Sequence, residues 1–143
     1  MSVVLDDHLL GDVIGDTVPP ALARLLPRYD TATTNLYYFR LCRAALNSKG
    51  GTITGSWSDR RRHEATRALL VLSEDIMVLP MKDLAFRMAE LARNFRLSTL
   101  GAEAVAAAEA LGGRLCVWSG DVGPGIRSAC ASVRVTYHPI DRS

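Results

Sequence analysis

The alternation of two kinds of segment constrains this chain more than any other feature. Short apolar or β-branched runs occur at Val3 to Leu5, Ile76 to Leu79, Leu115 to Trp118 and Val133 to Tyr137. A Thr-rich stretch, Asp30 to Thr34, is a weaker strand candidate. Segments with a helical apolar period or helix-start chemistry lie between them. A parallel neighbour can be reached only by a crossover, so strands separated by helices imply a parallel sheet. The expected fold class is α/β. We expect a three-layer α/β/α sandwich with a short parallel sheet of about four strands. The 143 residues suit a single domain, 1–143, with a sizeable core.

The expected helices are marked by their ends. Asp6 or Asp7 can cap a short helix starting near His8. Pro19-Pro20 opens Ala21 to Leu26, and Pro27 closes it. Asn35 can cap a helix through Leu46, and Ser58 begins one running to about Leu72. Lys82 to Asn94 is amphipathic. Ser98 or Thr99 opens an Ala-rich helix through Leu111, stopped by Gly112-Gly113. Gly123 to Ala131 holds a turn and a short helix. Ser48 to Gly55, with three glycines, reads as a loop inside the domain. The stretch Gly50 to Ser56 lacks the lysine of a phosphate loop and follows a helix where a strand is required.

Val3-Val4-Leu5 runs directly into Asp6. An acid at the carboxyl end of a buried parallel strand lies where such sheets form their ligand crevice. It serves there as a helix cap or as a metal ligand. Asp7 beside it is either a supporting acid or a cap for the helix that follows. His8, His63 and His138 have no partners at ligand spacing and read as structural residues. Cys42, Cys116 and Cys130 form neither a metal motif nor a disulfide framework. Net charge is +2, too mild to imply nucleic-acid binding by itself. The acids Asp6, Asp7, Asp12 and Asp16 and the lack of a long apolar run argue against a signal peptide and a membrane span. A cytoplasmic protein is expected.

Arg60, Arg61 and Arg62, within Asp59 to Glu64, either grip RNA phosphates or form a solvated helix face. Arginines at a helix start oppose the dipole, which favours the functional reading slightly. Tyr37, Tyr38 and Phe39 occupy consecutive helix positions, so they cannot share one core. Trp118 can stack on a base or simply fill the core, and Trp57 can anchor a loop.

The chain resembles the PIN domain and, within it, toxins of VapC type. VVLDDHLL, from Val3 to Leu10, looks like the family's opening strand with its leading Asp. LSTLGAEAVAAAEALGGRLCVWSGD, from Leu97 to Asp121, matches its order of loop, helix, Gly-rich corner, apolar strand and acid. Ile76 to Pro80, followed by the helix at Lys82, also fits. The resemblance implies a metal-dependent endoribonuclease in which three or four carboxylates hold Mg²⁺ or Mn²⁺. It also implies a cytoplasmic homodimer acting on RNA and paired with an antitoxin or another protein partner.

Carried over by position, Asp6 matches the leading acid. The second acid falls on Arg40 or Phe39, in a helix without carboxylates. The third falls on Gly101, with Glu103 two residues later. The fourth falls on Ser119, with Asp121 two residues later. Two helix residues turn a side chain by about 200°, so Glu103 would need a rearranged helix start. Two readings follow. In one, Asp6, Glu103 and Asp121 are catalytic, and Asp6 and Asp121 ligate Mg²⁺ or Mn²⁺. In the other, the metal site is degenerate and no cofactor binds. Arg40 then reaches toward Asp6 in a pocket with Asp7, Gly101 and Ser119. That protein acts by binding RNA or a protein partner.

Overall fold

The computed structural model describes residues 1–47, 53–55, 57–121, 123 and 125–142. Most of the expected glycine loop, including Gly50, Gly51, Thr52 and Ser56, lies outside the described residues. The strands are β1 (Ser2–Leu5), β2 (Asp30–Thr33), β3 (Ile76–Val78), β4 (Arg114–Trp118) and β5 (Thr136–Ile140). The helices are α1 (Asp7–Ile14), α2 (Pro20–Leu25), α3 (Asn35–Leu46), α4 (Asp59–Leu70), α5 (Met81–Asn94), α6 (Thr99–Ala110) and α7 (Ile126–Val133). A short 3₁₀ turn, Leu26–Arg28, follows α2.

A strand with no polar face must be covered on both sides. β1 is such a strand, buried throughout, and it takes the central place in the order β3-β2-β1-β4-β5. Every pairing is parallel. Successive side chains point to opposite faces. Val4, Leu115 and Val117 pack against α5, α6 and α7, while Val3, Leu5 and Cys116 pack with Leu9 and Leu22 of α1 and α2. This is the α/β/α sandwich expected from the sequence. Residues Ala102 to Ala108 of α6 are all buried, so their small side chains let that helix lie close to the sheet.

The sheet has five strands rather than about four. The Thr-rich β2 is a full member because tertiary contacts override its weak propensity. Ala32 is wholly buried, and the Thr33 hydroxyl donates to the Leu5 carbonyl at 2.8 Å. β3, although apolar, is an edge strand with Met77 42% exposed. β5 begins at Thr136 rather than Val133, because α7 continues through Val133 and stops on Arg134 at φ 62°. Thr136 N donates to Gly113 O, and Ser119 N donates to Ile140 O. Alternate residues of β5 therefore turn their main chain toward β4, and Pro139 falls on the opposite parity. Its missing N–H lies on the open edge, where a proline is tolerated.

No described helix is long and apolar enough to cross a membrane. Cys116 and Cys130 are buried among apolar neighbours, and burial pushes their thiols up to about 12 and about 11. Gly113 carries a sharper constraint, since a Cβ there would collide with the Ser2 carbonyl. Gly113→Ala is expected to push β4 off β1 and to cost about 1–3 kcal/mol, as overpacking does. Urea denaturation measures this, and an unchanged midpoint would mean that the start of β1 yields freely.

Candidate active-site cleft

The strand order places β2 and β4 on opposite sides of β1. Strand order therefore reverses between β1 and β4, and a crevice opens beyond their carboxyl ends. Asp6 follows β1, and Trp118 ends β4.

Asp6 is the N-cap of α1. Its Oδ1 accepts a hydrogen bond from Leu9 N, and its Oδ2 accepts one from Trp118 N, each at 2.8 Å. One carboxylate thus starts the helix and ties β1 to β4. Only 2% of the residue is exposed. Burial pushes its carboxyl up to about 6, the two N–H donors pull it down, and the neighbouring Asp7 charge adds to the rise.

Asp7 does not cap α1; Asp6 does, so Asp7 begins the helix proper. Asp7 Oδ1 accepts from His8 N at 3.0 Å and lies 3.1 Å from His8 Nδ1. Arg40, expected to reach Asp6, pairs with Asp7 instead: Nε lies 3.1 Å from Oδ2. That contact is an ion pair without the alignment of a hydrogen bond.

His8, which reads from the sequence as a structural residue, stands inside this acidic cluster. It is buried, and its Nδ1 lies 3.9 Å from both Asp6 Oδ2 and Asp121 Oδ2. Three carboxylates thus converge on one imidazole. The available signal was local: Asp-Asp-His occupies consecutive positions at the end of a buried strand. The His8 ring also meets Trp118 at 4.6 Å between centroids. Arg142 lies over Trp118 at 5.5 Å and binds Asp12 through two hydrogen bonds of 2.8 and 2.9 Å.

The cleft is lined by Asp6, Asp7, Tyr37, Arg40, Gly101 and Asp121, among others, and encloses about 350 Å³ including its open mouth. Gly101, Arg40 and Asp121 thus line one cleft. Asp121 remains half exposed at its rim. Ser119 sits at the end of β4 and is not among the lining residues.

Glu103 lies elsewhere. It is fully buried on α6 and points at the start of α3. Oε2 accepts from Asn35 N at 3.1 Å and from Asn35 Nδ2 at 2.7 Å, while Oε1 accepts from Leu36 N at 2.9 Å. It supplements the Thr34 cap of that helix.

Arg60, Arg61 and Arg62 do not line the cleft. Arg60 pairs with Glu64, and Arg61 bonds to Gly15 O and lies over Trp57. Arg62 donates to the carbonyls of Ala44, Asn47 and Thr54. The run therefore stitches α4 to α1 and α3. Tyr37, Tyr38 and Phe39 diverge as their spacing requires: buried, half-buried and exposed in turn.

Asp6, Asp7 and His8 each offer a ligand atom, all within 4.8 Å of one another. Mg²⁺ demands near-octahedral oxygen coordination, and Mn²⁺ also favours oxygen donors. Both Asp6 oxygens already accept N–H groups, and Asp7 faces a guanidinium. Family models and curated proteins provide no match to this chain.

Proposed function

We propose that this chain is a PIN-like domain, resembling VapC-type ribonucleases, whose cation site has degraded and which acts by binding RNA. The observation that carries the reading is the fate of the acids and the presence of Arg40. Glu103 is spent on α3, and Arg40 places a positive charge against Asp7. The residues therefore fit a Mg²⁺ or Mn²⁺ centre poorly. The parallel order β3-β2-β1-β4-β5, with Asp6 at the reversal point, supports the scaffold half of the reading. A homodimer and an antitoxin partner follow from the same resemblance and stand or fall with it.

The alternative is an active endoribonuclease using Mg²⁺ or Mn²⁺ with Asp6, Asp121 and Glu103. The convergence of Asp6, Asp7 and Asp121 on His8 favours it. Glu103 would first have to leave α3. One experiment separates the two readings. Single-stranded RNA is incubated with the protein and Mg²⁺ or Mn²⁺, alongside EDTA and Asp6→Asn controls, and Mn²⁺ is titrated by calorimetry. The expected result is no cleavage above the EDTA control and no binding heat, while labelled RNA is still retained. Cleavage abolished by both EDTA and Asp6→Asn would establish the active enzyme instead.

A further inference from the structure

A second groove lies on the β5 edge of the sheet. Arg24 lies in the last turn of α2 and Arg28 ends the 3₁₀ turn that follows, and both line the same groove. Both are exposed, and neither has an ion pair or hydrogen bond among the described residues. They line a groove of about 840 Å³, including its open side, whose other wall is Tyr137, His138, Pro139 and Ile140. No carboxylate lines it. Behind His138 stands a further cation: Arg114 Nη1 lies 3.0 Å from His138 Nε2, with its guanidinium over Tyr29 at 4.7 Å. Unpaired guanidinium groups in a carboxylate-free groove select an anion, and their planar forks suit phosphate oxygens.

We propose that this groove holds the phosphodiester backbone of single-stranded RNA. An extended peptide is the poorer occupant. Strand addition needs main-chain donors along the edge, and β5 presents Tyr137 N but no donor at Pro139. Recognition is thus left to the arginine side chains. Ile140, at one end of the groove, pairs with Trp118, whose N–H donates to Asp6. The proposal rests on the RNA-binding half of the proposed function and is independent of whether the cleft cleaves.

Fluorescence anisotropy of an end-labelled single-stranded RNA, measured across a salt series, tests this. Losing two phosphate contacts lowers the slope of log K against log salt by about 1.4. R24A/R28A should therefore weaken binding about 25-fold at 0.1 M salt relative to a 1 M reference. R24K/R28K keeps the charges and loses the forks, so it should keep the slope and bind more weakly. It also reads the groove should the alanine pair not fold. Unchanged affinity and slope in R24A/R28A, with wild type binding, overturns this groove alone. Failure of the wild type to bind overturns the RNA-binding reading as well. Displacement by poly-glutamate as effective as by unlabelled RNA overturns the nucleic-acid assignment.

Discussion

Replacing Glu103 with Ala is expected to destabilise the protein by about 2–4 kcal/mol, the cost of taking the acceptor from several hydrogen-bond donors at once. The carboxylate is wholly buried and accepts three hydrogen bonds, two from the main chain of Asn35 and Leu36 and one from the Asn35 amide. Those main-chain donors belong to the first turn of α3 and have no partner within the helix. Truncation takes away their acceptor, and a buried donor left unsatisfied costs about 1–3 kcal/mol. The damage extends further, because Asn35 Nδ2 also donates to Leu79 O beyond β3. At about 2–4 °C per kcal/mol, the melting temperature should fall by roughly 4–16 °C. Glu103→Gln keeps one acceptor oxygen, so it should cost about 1–2 kcal/mol. Urea denaturation measures both variants. An alanine variant as stable as wild type would show that α3 does not depend on this carboxylate.

Asp6 should give stability an unusual pH dependence. Burial raises its carboxyl from 3.8 to about 6. Between those values the unfolded chain has released the proton and the folded chain retains it. Folding stability from this group is therefore complete below pH 3.8 and is lost as pH rises through about 6. At about 1.4 kcal/mol per pH unit, the loss amounts to about 3 kcal/mol by pH 7. Asp6→Asn isolates the effect from other titrating acids. An asparagine offers one oxygen to the two N–H donors now served by Asp6, so the variant should be the weaker protein near pH 4. The gap should narrow toward pH 7, as wild type alone bears the cost of ionisation. Chemical denaturation at each pH would show it, and a gap that stays constant would mean that Asp6 ionises as it does in water.

Much of the architecture is legible in the chain because its strongest signals are local. Val3-Val4-Leu5 is apolar on both faces, which specifies a central strand, and helices between the strands specify parallel pairing. The strands that were harder to read depend on distant partners. β2 is held by Thr33 bonding to Leu5, and its own composition says little. β5 contains His138 and Pro139, which look like breakers until the strand is known to lie at an edge.

The candidate site divides in the same way. Asp6 could be read directly, since a buried strand running into an acid marks a crevice. Arg40, Gly101 and Asp121 were reached through the register of the resemblance, and all three line the cleft. The destination of Glu103 could not be read. A carboxylate on a buried helix face does not reveal which helix start, 68 residues away, it will meet. Arg61 and Arg62 were ambiguous because a basic run looks alike on a solvated face and as a set of ties to carbonyls.

Two contacts of the acidic corner join residues far apart in sequence. Trp118 N reaches Asp6 across 112 positions, and Arg142 reaches Asp12 across 130. During synthesis, at 5–20 residues per second, these partners arrive on the order of ten seconds after the acids they satisfy. Asp6 and Asp12 therefore spend the early life of every molecule without these partners, hydrated by water instead. A ribosome that stopped short of Arg142 would release a chain whose Asp12 lacks its counter-ion and whose Trp118 ring lacks its overlying cation.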